Sequence, residues 1–395
     1  MPWLWKLDVD SAYRRLPIAS CDHWAAWIAF IFMEQIFVAM HLACPFGATA
    51  SVQAWQRIAA AITFLGRTIL GVLVFCYVDD YIGVDRPECA EHAMLCMARL
   101  VRVIFGRTAV AARKLEFGPS LIALGIRISP SALGYCCSLA EDKAAKCIET
   151  IMDAFRVGEM HPGVARKLAG RLSWASQFVF HRLGRAMLRP IFARGHSSET
   201  CLNGPLREAL RWWLAILREG IMEQRPWQQP ITPPVHLYVD ARGVPPRCAA
   251  VLFDGEQILY TDGQPAPEIF ERFSKRSDNQ ITTLEVLAIA VGLSTFGEKL
   301  ENRRVIIFSD NVGAEGSVRK GASKAWDQCM LIHEIWTLAW KLKMHIWIHR
   351  VPSEENISDL PSRESYELMM HDLGAQWVPP TVAGIFMDMA RSCAQ

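Results

Sequence analysis

Residues Val74 to Asp85 read VFCYVDDYIGVD, two short apolar runs that meet at the adjacent carboxylates Asp79 and Asp80. The apolar runs predict a strand, a tight turn and a second strand. A bare Asp-Asp pair between strands is ordinarily just a turn, because Asp readily bonds its own backbone there. Nearer the N-terminus, KLDVDSAYRRLPI puts Asp8 and Asp10 at the end of another short apolar strand. Two acidic strand edges suit a divalent-metal site. Hard cations prefer oxygen ligands, and phosphoryl transfer needs little beyond two such ions held about 3.5 to 4 Å apart.

Further outward, WIAFIF and QIFVAM read as strands and SVQAWQRIAAAITFLGRTI as a helix, so the first half mixes both element types. From Lys143 to Glu219 the pattern turns helical, as in RKLAGRLSWASQFVF and PLREALRWWLAILREGI. RPWQQPITPP, from Arg225 to Pro234, reads as a linker and the main domain boundary. Beyond it VHLYVD, RCAAVLFD and QILYTD form a three-strand meander. The helix TTLEVLAIAVGLSTF, the strand RRVIIFSD, further helices and the strand KMHIWIHRV follow. That order predicts one mixed sheet with helices packed on it. Asp240, Glu285, Asp310 and Asp359 fall at strand ends, on a helix and in the loop VPSEENISDLPSR.

At 395 residues the chain exceeds one ordinary hydrophobic core, and 51% hydrophobic against 21% charged residues marks it as globular. A net charge of +2 neither demands nor excludes a polyanionic partner, so local charge decides. Between His161 and Ser198 stand Arg166, Lys167, Arg171, Arg182, Arg185, Arg189 and Arg194, with no acid among them. Trp174, Phe178, Phe180 and Phe192 are interleaved, which predicts an apolar packing face from which the cations project towards phosphates. A solvated basic face without a ligand is the bland alternative. The twelve cysteines lack CxxC spacing, which predicts reduced thiols, mostly in the core, of an intracellular protein without zinc or disulfides. Trp24 to Met33 and Ile69 to Tyr77 fall short of the roughly 20 residues of a membrane span, and MPWLWKLDVD is no secretion signal. Neither a membrane partner nor export is expected, and cytoplasm and nucleus remain equally open.

In sequence, LDVDSAYRRLPI, CPFGATASVQAWQRI, YVDD and RKLEFGPSLIALGIRI resemble four successive motifs of reverse transcriptases. The later acids resemble the Asp, Glu, Asp, Asp set of the ribonuclease H fold. VPSEENISDLPSR resembles the corresponding stretch of hepadnaviral polymerases and DIRS-like retrotransposons. The fold so implied is an α+β polymerase palm with a helical thumb or connection, followed by an α/β ribonuclease H-like domain with a mixed sheet. Its spans would be a palm over 1–109, thumb or connection over 110–224, linker over 225–232, ribonuclease H over 233–364, and a tail over 365–395 of unknown role.

The resemblance implies that Asp8, Asp79 and Asp80 form the polymerase site and that Asp10 is a solvated strand-end residue. Tyr13 would lie under the nucleotide sugar and exclude a 2′-hydroxyl. Phe46 and Gly47 would touch nucleotide and template, Gln56 would face the template, and Lys114 would approach the triphosphate or stay solvated. Asp240, Glu285, Asp310 and Asp359 would hold the ribonuclease metals. Two Mg²⁺ or Mn²⁺ per site are implied, with RNA template, DNA primer, RNA/DNA hybrid and deoxynucleoside triphosphates as partners, and other element-encoded proteins as further ones. The family's fingers precede the first aspartate motif, whereas only seven residues precede Asp8, so weak primer extension is expected. Ser358 stands where the family has alanine, and Glu354 where some relatives carry a catalytic histidine; His349 is read as structural. A catalytically silent or ribonuclease H-only relic that binds nucleic acid is the alternative to an active enzyme.

Overall fold

The computed structural model of the chain describes residues 1–179, 182–228, 232–277 and 280–381. Phe180 of the basic segment, residues 229–231 of the expected linker and 382–395 of the tail lie outside them. The chain divides into two units, one of residues 1–140 and 222–228, the other of 141–221 and 229–395.

In the first unit, β1 (Trp3–Asp8), β4 (Val74–Tyr77), β5 (Asp80–Asp85) and β6 (Glu116–Gly118) form a sheet, and a separate hairpin is made of β2 (Trp27–Phe32) and β3 (Gln35–Met40). The sheet order is β4-β5-β1-β6, antiparallel throughout, with Asp8 opposite Asp80. Helices α1 (Thr49–Thr68) and α2 (Pro87–Phe105) cover it through Trp55, Ala59, Ile62, Met94, Met97 and Val101. Gly83 is required where it stands, because a Cβ there would meet the Trp5 indole at 2.1 Å. A second sheet runs β10-β9-β8-β7, built from β7 (Leu121–Ala123), β8 (Ile126–Ser131), β9 (Gly134–Leu139) and β10 (Glu223–Pro226). Arg225 and Pro226, at the start of the expected linker, thus end a paired strand.

The second unit opens with helices α3 (Glu141–Val157), α4 (Pro162–Phe178), α5 (Arg189–Gly195) and α6 (Gly204–Glu219). It continues through β11 (Val235–Gly243), β12 (Pro246–Asp254) and β13 (Gln257–Gly263), the short α7 (Pro267–Phe270), α8 (Ile281–Thr295) and the short α9 (Gly297–Leu300). Then come β14 (Arg304–Ser309), α10 (Val312–Lys320), α11 (Trp326–Lys341), β15 (His345–Arg350), α12 (Asp359–Ser362) and β16 (Gln376–Trp377). The sheet order is β15-β14-β11-β12-β13-β16. It is mixed as expected, since β11 and β14 pair in parallel and β11 and β12 antiparallel. The run from Thr283 to Leu293 is buried without interruption, so α8 is a central helix and not an amphipathic surface one. Its close approach to the sheet needs Gly292, whose Cβ would lie 2.9 Å from that of Ala250. Burial of this kind is worth roughly 25 cal/mol per Å² of apolar surface, and it fixes where Glu285 points.

The basic segment corrects two expectations. The buried stripe of α4 is Ala165, Leu168, Ala169, Leu172 and Ala175, whereas Phe178 and Phe192 are exposed. Small residues let α4 and α5 approach closely, which displaces the larger rings to the rim. Arg194 does not project; it is buried and donates to the Cys201 carbonyl. The thiols differ too. Eleven described cysteines are free, but only Cys137, Cys147, Cys248 and Cys329 are buried, because most others fall on outward strand or helix positions. Among the described residues no helix is long and apolar enough to cross a membrane.

Candidate metal centre

Strand pairing explains how the second acidic set assembles. The parallel register of β11 and β14 ends at Tyr238 opposite Phe308, and two residues further on each strand stand Asp240 and Asp310. Asp240 is thus an end residue only with respect to β14; β11 itself continues to Gly243 by pairing with β12, which corrects the strand-end expectation. Glu285 enters from the first half of α8, behind the sheet. Among the described residues, Asp240, Glu285 and Asp310 are the one group of three potential ligands whose donor atoms all lie within 4.8 Å of one another.

Burial and then the neighbouring charges of Asp240 and Asp310 push Glu285 up to about 9. Burial, opposed by a Ser362 hydroxyl bond and reinforced by Asp310 and Asp359, pushes Asp240 up to about 6. Glu285 is only 3% exposed, yet its Oε2 has no hydrogen-bond partner. A buried, unpaired carboxylate oxygen facing two other acids is unfavourable unless protonated or bound to a cation. The donor set is all oxygen, as Mg²⁺ or Mn²⁺ requires, so the residues fit the implied metal.

Asp359 begins α12 and is not in the convergent group; Arg363 Nε lies 2.8 Å from its carboxylate. The loop before it is tied to β11. Asn356 Nδ2 donates to the Val239 carbonyl at 3.0 Å, and Ser358 Oγ donates to Asn356 Oδ1 at 2.7 Å. Both residues are buried. Ser358 is therefore more than a small change in a loop, and Asn356, present in the sequence motif but given no role of its own there, is its anchor. Polar residues recurring inside an otherwise irregular stretch were the available signal, since a buried amide must find partners. His349 is exposed on β15, its ring edge-on to Phe308 at 6.0 Å.

The first acidic set is arranged differently. Asp79 lies in the β4–β5 turn beside Val78, whose φ of 57° is rare for a β-branched residue. The Trp55 indole donates to the Val78 carbonyl at 2.6 Å, and the Val9 amide donates to the Asp79 carbonyl at 3.1 Å, which together hold the strained turn. Burial, then the Asp8 charge, raises Asp79; burial, then Asp8 and Asp79, raises Asp80. Lys114 Nζ lies 2.5 Å from Asp8 and 3.4 Å from Asp10. Asp10 is thus ion-paired, with Arg15 at 3.8 Å as well, and not simply solvated. Lys114 is likewise not a free surface cation.

Tyr13 is half-buried, edge-on to Phe46 at 5.3 Å. Phe46 is exposed, Gly47 has a φ of 87° with open space beside it, and Gln56 is exposed on α1. Arg166, Lys167 and Arg171 are exposed on α4, Arg189 is exposed at the start of α5, and Arg182 and Arg185 are half-buried between those helices.

No protein-family model matches the sequence, and no curated protein matches it. Among solved structures, the chain is similar in fold to a foamy viral protease-reverse transcriptase in complex with RNA/DNA hybrid, at 14% identity and a TM-score of 0.45 over 90% of this chain. Two further foamy viral protease-reverse transcriptase structures, one described as dRH and both in complex with double-stranded DNA, match 89% of this chain. Their identities are 13% and 16%, with TM-scores of 0.43 and 0.42. The chain spans 45%, 57% and 68% of the lengths of those three chains.

Proposed function

We propose that the chain is a retroelement nucleic-acid enzyme whose second unit cleaves the RNA strand of an RNA/DNA hybrid. The observation that carries this reading is the convergence of Asp240, Glu285 and Asp310 around the unpartnered Glu285 Oε2. Those three would hold divalent cations, with Asp359 completing the set once Arg363 turns away. Bound there, Mg²⁺ or Mn²⁺ would supply an activated water and charge stabilisation for the departing oxygen. Asn356 and Ser358 hold the loop that carries Asp359 against β11. Exposed Arg166, Lys167, Arg171 and Arg189 would track backbone phosphates, giving salt-sensitive affinity.

In the first unit, Asp8, Asp79 and Asp80 would serve RNA-directed DNA synthesis on a palm, with Tyr13 selecting deoxynucleotides. The DIRS-like or hepadnaviral affinity rests on VPSEENISDLPSR alone.

Asp310→Asn tests the ribonuclease reading, since it removes charge at nearly constant shape. Hybrid cleavage with Mg²⁺ or Mn²⁺ should be lost while hybrid binding and fold persist. Cleavage at the wild-type rate in the variant, or none by the folded wild-type chain with either ion, overturns it.

A further inference from the structure

At the far end of the same sheet a groove of about 610 Å³ is lined by Arg182, Arg185, Arg304, Trp336, Trp340 and Trp347 among others, with no acid among the described residues of its lining. It opens at the first residues of β14 and β15, whereas Asp310 follows the last residue of β14. Five residues at about 3.3 Å each separate Val305 from Asp310, so the groove lies roughly 17 Å from the acidic centre along the strand.

Its chemistry has two parts. Among the described residues Arg182, Arg185 and Arg304 form no ion pair; Arg185 and Arg304 donate to the Lys320 and Thr232 carbonyls instead. Arg182 is stacked over the Trp336 ring, its guanidinium carbon 5.1 Å from the ring centroid. Burial, then the like charges of Arg185 and Arg319, disfavour its cationic form, a strain that a bound anion would relieve. Beside these cations, Trp340 on α11 is 37% exposed and Trp347 on the edge strand β15 is 60% exposed, unusual for such large apolar rings.

We propose that this groove is a second nucleic-acid site, one that takes a single strand. Uncompensated arginines match phosphates, and exposed indoles offer stacking faces to unpaired bases, which a duplex hides within its own stack. The strand held here would be one not paired in the hybrid, such as a single-stranded extension of it. The site stands independently of cleavage at the acidic centre.

The test uses the full chain and a ten-residue oligothymidylate, with binding followed by tryptophan fluorescence and by anisotropy of a labelled strand. Binding should weaken with salt, and Trp347→Ala should weaken it by about 5-fold to 150-fold, the range for loss of one base stack. Trp340→Ala provides a second variant should the first disturb β15, with circular dichroism checking both folds. Hybrid cleavage by the same preparation reports separately on the acidic centre, and Trp347→Ala should leave it intact on a blunt hybrid. Three outcomes overturn the proposal. They are no binding by the wild-type chain, unchanged binding in both folded tryptophan variants, and equal affinity for a blunt duplex of the same length that competes for the site.

Discussion

Two acidic sets stand on neighbouring strands, yet only one converges. Asp8 and Asp80 face each other across β1 and β5, with a lysine inserted beside them. Asp240 and Asp310 follow the paired ends of β11 and β14, and the third group that meets them, Glu285 on α8, is another acid. Strand register alone places two carboxylates near each other; a third element determines whether the cluster is neutralised internally or left needing a cation. The first set has its counter-charge in Lys114, whereas among the described residues the second has none within the triad.

The largest expected effect follows from that difference. Hybrid cleavage by Asp310→Asn should fall by more than about 100-fold, and chelation of divalent ions should do the same to the wild type, reversibly. Addition of Mg²⁺ should also raise the melting temperature of the wild type much more than that of the variant, since a ligand bound only by the folded state stabilises it. Equal thermal shifts in both proteins would show that the second set is not the metal centre and erase the contrast.

Glu285 sharpens the comparison through pH. Its folded value is raised from 4.5 to about 9, so the folded state retains a proton that the unfolded chain releases. In metal-free protein that contribution is fully present below about pH 4.5 and is lost as pH rises towards about 9. Glu285→Gln cannot ionise, so its stability relative to wild type should increase steadily across that window in the presence of a chelator. Added Mg²⁺ should narrow the gap at high pH by favouring the ionised glutamate. Parallel denaturation curves at pH 5 and pH 8.5 would mean that burial and the neighbouring acids do not hold the proton on Glu285.

A smaller effect is expected at the loop anchor. Asn356→Ala would leave the Val239 carbonyl and the Ser358 hydroxyl buried without their present partners, at about 1 to 3 kcal/mol. Denaturant titration checks the magnitude. Cleavage by the folded variant should fall as well, with restoration by Asn356→Asp absent because a carboxylate cannot donate to Val239. Full activity in Asn356→Ala would detach the loop from the chemistry.

Much of this architecture was legible because it depends on pattern. The meander and the alternating elements after Val235, the helices between Lys143 and Glu219, and the hairpin around Asp79 all follow from local periodicity and turn chemistry. What escaped depends on distance in three dimensions. Nothing in RKLEFG shows that Lys114 will lie against Asp8, more than a hundred residues away in the chain. Arg194 looks like its six basic neighbours in sequence, and only the folded chain shows it buried against the segment that follows α5, where it meets the Cys201 carbonyl and Glu199. Asp359 matches its motif, while its pairing with Arg363 is a side-chain choice that spacing does not reveal.

Lys114 provides the finest adjustment of the contrast. Its side chain is 26% exposed and that of Asp8 32%, so the pair is screened and worth at most about 1 kcal/mol. Hydrogen bonding to Asp8 first, and the charges of Asp8 and Asp10 after it, keep Lys114 protonated above its ordinary range. A cation approaching Asp8 must displace that ammonium or share the carboxylate with it. Lys114→Ala should therefore tighten Mn²⁺ binding at the first set by no more than about fivefold. The measurement is made in an Asp310→Asn, Glu285→Gln background, so that electron paramagnetic resonance of bound Mn²⁺ reports only that set. A much larger gain would make the lysine the principal difference between the two acidic sets. No gain would place the difference in the strand geometry around Asp8 and Asp80.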